Sequence, residues 1–237
     1  MTASRHEAPL NQLLAALPQR DSKRLLAACE AVELNFGEIL YEPDDRIGHV
    51  YFPTDSFVSL MIPVDAKASL EVGLVGNEGM VGTPLILGVD ASPLRALVQG
   101  GGPAWRMTAA AFSRVLGSSP ALRRLLQRYL QVQMRQLAQT AACTRYHVVE
   151  ARLARWLLMT QDRAHTADFH VTHEFLAYML GVRRVGVTKA ANALQQRQLI
   201  SYHRGEVTIL DRAGMEAASC GCYQADRTTY ETAFAAA

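Results

Sequence analysis

The sequence has few cysteines and no long apolar run, and both absences limit what the protein can be. Its 237 residues include four cysteines, too few for the disulfide framework of a small secreted domain. No apolar stretch reaches the roughly 20 residues that span a bilayer, and residues 1–10 lack the apolar core of a signal peptide. We therefore expect a reduced, cytoplasmic protein with no membrane partner.

Patterns of the common catalytic and metal centres are missing as well. The sequence contains no nucleophile–base motif, no histidine cluster with metal-ligand spacing and no phosphate-binding P-loop. We therefore predict no enzyme, no catalytic residues and no metal site. The formal net charge is only +2, which by itself indicates no class of partner.

The charges are unevenly distributed along the chain. Residues 1–118 contain 9 Lys/Arg and 13 Asp/Glu, a net charge of −4, whereas residues 119–237 contain 15 and 9, a net charge of +6. A local basic excess favours contact with nucleic acid. Together with a length greater than one small domain needs, this asymmetry predicts two domains, with any nucleic-acid contact in the second half.

Residues 171–209 are the most informative segment. Thr172 can cap a first short helix, and Gly181 can end that helix in the left-handed conformation. A second helix is predicted over residues 183–196. Its apolar residues recur at the spacing i, i+3, i+4, i+7 and are Val187, Ala190, Ala191 and Leu194. The other sides carry polar and basic residues, as in a helix that reads the major groove of DNA. An ordinary surface helix pair has the same pattern.

The first 118 residues combine helices with short β runs. Residues 10–30 are predicted to be helical, with a buried leucine set of Leu13, Leu14, Leu17, Leu25 and Leu26. Strands are then predicted at 32–36, 38–41, 50–52, 57–62, 69–75, 95–99 and 104–107, with turn residues between them, for example at 63–65. Many short strands at this spacing indicate a barrel or jelly roll. Thr108 can cap a further helix through Leu116.

A long helix is predicted next, because Ser119 suits the N-cap, Pro120 suits the first helical position, and no Gly or Pro follows before Gly181. It covers residues 121–145, and another helix is predicted over residues 148–160. Apolar and polar residues at three- and four-residue steps form a stripe that fits a two-helix dimer seam. The stripe consists of Leu122, Leu126, Tyr129, Leu130, Gln133, Leu137 and Thr144. Packing against the same chain is the alternative.

This order of elements resembles the Crp/Fnr family of bacterial transcription regulators. The segments that carry the resemblance are FGEILY (36–41), VEARLA (149–154), VTHEFLA (171–177), LGVRR (180–184), QLISY (198–202) and RGE (204–206). The resemblance implies an α+β fold in three parts. These are an N-terminal β-roll (a double-stranded jelly roll of the cyclic-nucleotide-binding type) over residues 1–118, a long dimerisation helix over 119–146, and a C-terminal winged helix-turn-helix over 147–237.

The resemblance further implies a homodimer that binds a near-palindromic site on double-stranded DNA. An unidentified signal sensed in the β-roll would control it, and RNA polymerase is an expected partner. The alternative is a regulatory module that binds a cyclic nucleotide or another small ligand and acts mainly through protein contacts.

Family positions also imply residue roles. Arg184 matches an arginine that contacts guanine, and Lys189 matches a position that touches base or phosphate. Val185 replaces a common glutamate, which leaves only apolar contact, for instance with a thymine methyl. The expected DNA contacts are Arg183, Arg184, Val185, Thr188 and Lys189 on the second helix, with Thr172, His173, Arg197 and Arg204 at phosphates.

The expected effector pocket departs from that of relatives that bind cyclic AMP. Those relatives place an Arg-Ser pair before an Ala-x-Val strand, whereas this chain has Leu94 and Arg95 there, and Thr83 stands where a glutamate is usual. The candidate pocket residues are Gly79, Gly82, Thr83 and Arg95. The glycines also fit ordinary tight turns. We expect no cofactor, an unknown effector and a weak or absent response to cyclic AMP.

The cysteines allow other sensing chemistries. Only Cys29 lies where the Fnr branch holds its iron–sulfur cluster, so such a cluster is not expected. Cys220 and Cys222 form a CxC pair that suits a metal or a disulfide, but no further ligand is near in sequence, and a helix end packed on the winged domain is the favoured alternative. Cys143 is expected to be a small buried apolar residue.

Overall fold

The structure is a computed structural model that describes residues 11–64 and 68–234. The expectation about residues 1–10, the first residue of the predicted helix 10–30 and Asp65 of the predicted turn lie outside the described residues. The helices are α1 (Gln12–Ala15), α2 (Gln19–Leu26), α3 (Ala109–Ser118), α4 (Pro120–Tyr146), α5 (Val149–Ala164), α6 (His173–Leu180), α7 (Arg184–Gln196), α8 (Arg212–Ala218) and α9 (Cys222–Phe234). The strands are β1 (Glu30–Leu34), β2 (Ile39–Tyr41), β3 (His49–Pro53), β4 (Phe57–Pro63), β5 (Ser69–Val75), β6 (Arg95–Gly100), β7 (Gly102–Thr108), β8 (Asp168–His170), β9 (Ile200–His203) and β10 (Glu206–Ile209).

The residue contacts divide the chain into two compact units. Within the described residues, one unit comprises 11–58 and 75–130, and the other comprises 59–64, 68–74 and 131–234. The hairpin formed by β4 and β5 is thus grouped mainly with the unit that holds the C-terminal helices. No helix in the described part of the chain is long and apolar enough to cross a bilayer.

Short strands form two sheets in the first half of the chain, with the orders β1-β7-β3 and β2-β6-β4-β5. Strand β7 pairs antiparallel with both of its neighbours, for example Val32 opposite Ala104 and Val50 opposite Met107. The seven strands predicted from alternation all form, with their ends shifted by at most two residues. The mixed α and β fold is therefore confirmed.

The N-terminal helical segment differs from the prediction, because Pro18 interrupts it. Helix α2 starts after this proline, which offers no side-chain cap. Asn11 instead fixes the start of α1, since its Oδ1 accepts the N–H groups of Leu13 and Leu14 at 3.0 and 3.3 Å. Four of the five predicted leucines are buried, but Leu26 is only half-buried.

Helix α4 begins as predicted. The Ser119 hydroxyl accepts the N–H of Leu122 at 3.1 Å and donates to Asp21 at 2.6 Å. Three members of the predicted dimer seam are nevertheless buried within the same chain, since Leu122, Leu126 and Tyr129 are exposed by at most 1%. They cannot contact a second copy, and this part of the prediction is wrong. Apolar residues lie on two neighbouring faces of α4. The face with Leu122, Leu126 and Tyr129 is buried within the chain, and the face with Met134 and Leu137 is exposed to solvent.

Helix α5 extends four residues beyond its predicted end and carries buried arginines. Arg155 donates to Asp226 at 2.6 Å, Arg163 donates to the Met159 carbonyl at 3.0 Å, and Arg152 donates to the carbonyl of Leu180. All three arginines are exposed by 9% or less. The basic excess of residues 119–237 therefore overstates the positive charge that faces solvent.

Glu71 on β5 is a titratable group in the same unit as α5. Its Oε2 accepts a hydrogen bond from the Ser59 hydroxyl at 2.7 Å. Burial raises the pKa of Glu71 to about 7, although the Ser59 hydroxyl and the charges of Arg163 and Arg155 act in the opposite direction. Because this value lies above the unfolded value of 4.5, the neutral carboxyl favours the fold. Its stabilising effect is complete below the unfolded pKa and is lost as pH rises through the folded pKa.

We predict that Glu71→Gln removes this pH dependence. The shift corresponds to about 3 kcal/mol, and partial exposure of the side chain reduces the expected gain at about pH 8 to about 1–2 kcal/mol. Urea unfolding of wild type and variant at about pH 5 and about pH 8 measures it. The exposed Glu33→Gln is the matched control. A wild-type decline with pH that Glu71→Gln retains would contradict the assignment.

Candidate nucleic-acid interface

Helices α6 and α7 form a helix-turn-helix whose turn follows from two residues. The Thr172 hydroxyl accepts the N–H of Phe175 at 3.1 Å and so caps α6. Gly181 ends α6 with φ 62° and ψ 42°, a conformation that glycine adopts without steric cost. A side chain at Gly181 would also lie 3.2 Å from Leu70 Cδ1. The predicted turn is therefore present.

Helix α7 has one buried face and one open face. The buried face is the predicted set Val187, Ala190, Ala191 and Leu194, each exposed by 5% or less. It packs against α5. Arg184, Val185 and Lys189 are exposed. Among residues 11–64 and 68–234, no ion pair engages Arg184 or Lys189, so both charges are available to a partner.

The start of α7 borders open space. A cleft of about 1220 Å³ is lined by Arg183 and Arg184 together with apolar residues that include Leu70, Phe175 and Tyr178. The Arg184 guanidinium is therefore not enclosed by the fold, which is the condition for any contact with DNA. Arg183 is the N-cap residue and supplies no side-chain hydrogen bond to the helix.

A small sheet of order β8-β10-β9 forms the wing. Arg204 and Gly205 make the turn between β9 and β10, with φ angles of 52° and 90°. A side chain at Gly205 would lie 2.6 Å from the ring of His170, so this position requires glycine. Arg204 is exposed at the turn. Strand β8 was not predicted, because three residues are too few to show alternation.

His173, which was predicted to contact phosphate, is engaged by other residues of the chain. Its ring stacks on that of Tyr202, with centroids 4.4 Å apart and planes at 6°. Its Nδ1 lies 3.1 Å from the Thr188 hydroxyl, and its Nε2 is buried. Burial, together with the charge of Arg184, lowers the pKa of His173 and so disfavours the imidazolium. These contacts give His173 a packing role between α6, α7 and the wing, and its contact with phosphate remains a prediction.

Two further predicted contacts already have partners within the chain. Arg197, just after α7, donates to Glu150 at 3.0 Å. The Thr188 hydroxyl donates to the Arg184 carbonyl at 3.1 Å besides contacting His173. Both side chains are thus less available to DNA than Arg184, Lys189 and Arg204.

The candidate effector residues have structural roles. A side chain at Gly79 would overlap the Tyr129 hydroxyl at 2.2 Å, and Gly82 has φ 96°. Thr83 begins a 3-10 helix, Thr83–Leu87. Arg95 donates to Glu42 at 2.8 Å, so its guanidinium is already neutralised. These features fit the alternative of tight turns, and an effector pocket at these residues remains a prediction.

The structure also assembles a group of metal-ligand types that the sequence did not suggest. The ligand atoms of Cys143, His147, Cys220 and Cys222 all lie within 4.8 Å of one another. The Cys143 thiol, hydrogen-bonded to Cys220, lowers the pKa of Cys220 to about 5, while burial raises the pKa of Cys222. A helical i, i+4 spacing of Cys143 and His147 is the sequence signal that could have indicated this cluster.

Comparison with known proteins agrees with this geometry. Residues 151–218 match the Crp-like helix-turn-helix domain, whereas no curated protein matches the chain. Similar structures include the c-di-GMP responsive global regulator CLP of Xanthomonas campestris (16% identity, TM-score 0.67, covering 82% of this chain and 100% of that one). They also include FixK2 of Bradyrhizobium japonicum (13% identity, TM-score 0.68, covering 81% of this chain and 98% of that one). A third is a CRP-family transcriptional regulator of Thermus thermophilus, TTHB099 (20% identity, TM-score 0.67, covering 79% of this chain and 96% of that one).

The chain therefore carries a Crp-like helix-turn-helix domain and has the fold of Crp/Fnr transcription regulators. At these identities the structural likeness establishes the fold, and the site residues rest on the geometry described above.

We predict that His173→Ala destabilises the protein by about 1–2 kcal/mol, because it removes a stacked ring and leaves the Thr188 hydroxyl with one partner fewer. Thermal or urea unfolding measures the loss, and the exposed His203→Ala is the matched control. The salt dependence of DNA binding should not change, since no phosphate contact is lost. A reduced salt slope with unchanged stability would restore the phosphate role.

Proposed function

We propose that the protein is a homodimeric, sequence-specific DNA-binding transcription regulator. The observation that carries this proposal is the orientation of α7, whose apolar face is buried against α5 while Arg184, Val185 and Lys189 are exposed. A helix held in this way can enter the major groove, where guanine offers two acceptors to a bidentate arginine. The Crp-like domain over residues 151–218 supports the same function.

In this proposal the second helices of two subunits enter successive major grooves about 34 Å apart. Arg184 reads guanine, Val185 contacts a thymine methyl and Lys189 contacts base or phosphate. Arg204 at the wing turn and Thr172 at the start of α6 contact phosphates. Such contacts raise affinity for all DNA sequences and position the reading helix.

The open face of α4 supports the dimer. Its apolar side chains recur at alternating steps of four and three residues, the heptad spacing of a two-helix seam, and are Leu130, Met134, Leu137 and Ala141. Met134 and Leu137 are 62% and 43% exposed in the single chain. Pairing of this face with its copy would remove both from water, which favours association.

We further propose that the β-roll senses a signal other than cyclic AMP. The DNA-bound protein then contacts RNA polymerase at the promoter. Two observations argue against a cyclic AMP pocket. Arg95 is paired with Glu42, and Tyr129 fills the space beside Gly79. CLP is described as c-di-GMP responsive, so sensors of this fold are not limited to one ligand.

We predict that Arg184→Ala weakens binding to the cognate site by about 1–3 kcal/mol and relaxes one base position, while binding to random DNA changes less. Selection of bound sequences from a random pool identifies the site. Titration of that site and of a scrambled duplex at one salt concentration then gives the specificity ratio.

Arg204→Ala is the matched control, because a lost phosphate contact should weaken binding to both duplexes alike and reduce the salt slope by about one. If Arg184→Ala retained the wild-type ratio of specific to random binding, Arg184 would not be the base-reading residue.

We predict that Leu137→Glu converts the dimer into a monomer, because a carboxylate in an apolar seam loses hydration without gaining a partner. Light scattering coupled to gel filtration measures the mass. Ala142→Glu adds the same charge at an exposed heptad position of α4 outside the seam and should leave a dimer. A monomeric wild-type protein would refute the seam.

A further inference from the structure

We propose that Cys143, His147, Cys220 and Cys222 bind one zinc ion. Their ligand atoms lie within 4.8 Å of one another. The Cys143 and Cys220 sulfurs are 3.5 Å apart, and the Cys222 sulfur is 3.4 Å from His147 Nδ1. A tetrahedral zinc ion with usual bond lengths separates two sulfurs by about 3.8 Å and a sulfur from a nitrogen by about 3.5 Å. The ligand atoms therefore need only small shifts to surround an ion.

The backbone presents these ligands from two short segments. Cys143 and His147 lie one turn apart at the end of α4, where the His147 N–H donates to the Cys143 carbonyl at 3.1 Å. Cys220 follows α8, and Cys222 begins α9, with Gly221 between them. The three cysteines are exposed by 1%, 7% and 1%. Four protein ligands leave no open position, as in structural rather than catalytic zinc sites.

The surroundings suit bound thiolates. Zinc with three thiolates and a neutral imidazole carries a net charge of about −1. Arg152 and Arg155 lie close enough for their charges to interact with Cys143 and Cys220. Gln139 donates from Nε2 to the Cys222 sulfur at 2.9 Å. Such outer hydrogen bonds orient metal ligands and favour the bound thiolate.

The donor set selects the metal. Three sulfurs and one imidazole in a tetrahedral arrangement are typical of zinc, whereas calcium and magnesium require oxygen ligands. An iron–sulfur cluster places its cysteines around a multi-atom core, and this group of ligands is too compact to surround one. A bound zinc ion would tie the end of α4 to the segment that joins α8 and α9.

The test measures zinc in the full-length protein, purified under reducing conditions and without chelators. We expect about one zinc ion per chain by elemental analysis. We also expect Co²⁺ to replace the zinc and give the visible bands and thiolate charge-transfer band of a tetrahedral site. Cys143→Ser, Cys222→Ser and His147→Ala should each weaken affinity at least about tenfold in competition with a chromogenic chelator. Cys29→Ser, a cysteine outside the group, should bind as wild type does.

Stability provides a second readout. A chelator should lower the melting temperature of wild type and of Cys29→Ser. It should leave the melting temperature of Cys222→Ser unchanged, because zinc stabilises only a chain that binds it. His147→Ala removes a half-buried ring, so circular dichroism can show it folded while its metal affinity is lost. Wild type that takes up neither Zn²⁺ nor Co²⁺ would overturn the proposal. A Cys143–Cys220 disulfide in place of the metal would also overturn it. Alkylation of free thiols in freshly lysed cells preserves such a disulfide for detection.

Discussion

The packing of α7 against α5 decides which side chains can face DNA. Once Val187, Ala191 and Leu194 are buried, the rotation of α7 about its axis is fixed, and Arg184 and Lys189 face outward. The support is itself held by polar contacts inside the fold. Arg155 of α5 pairs with Asp226 of α9, and removing one partner of such a buried pair is strongly destabilising. The orientation of α7 therefore depends on residues buried within the fold.

Local patterns predicted most of the fold, because alternation, turn residues and caps act over a few residues. The strands from β1 to β7, the Ser119 cap and the Gly181 turn all follow from such signals. Local sequence does not determine which part of the structure packs against a given face of a helix. The stripe on α4 included Leu122 and Tyr129, which are buried in the same chain, together with the exposed Leu137. Periodicity shows that residues share a side of a helix, but not whether the same chain or a second one packs there.

Residue type alone does not show where contacts within the fold engage a side chain. His173 and Arg197 lie in the helix-turn-helix region, yet stacking on Tyr202 and pairing with Glu150 engage them. The cysteine group could not be seen in the sequence for a related reason. Cys143 and Cys220 are 77 positions apart in the chain, so sequence spacing could not bring them together. Three-dimensional proximity brings residues of metal-ligand type together, and it gives other residues partners within the chain.

The missing side-chain cap at Arg183 has a consequence for how α7 would meet a nucleic acid. The first amide groups of a helix have no carbonyl partner within it, and most helices satisfy one of them with a serine, threonine or aspartate oxygen. Here the residue before α7 is an arginine that accepts nothing. A phosphate oxygen placed at this end would complete the helix and meet its partial positive charge. The DNA backbone would then serve as the cap that the protein itself does not provide.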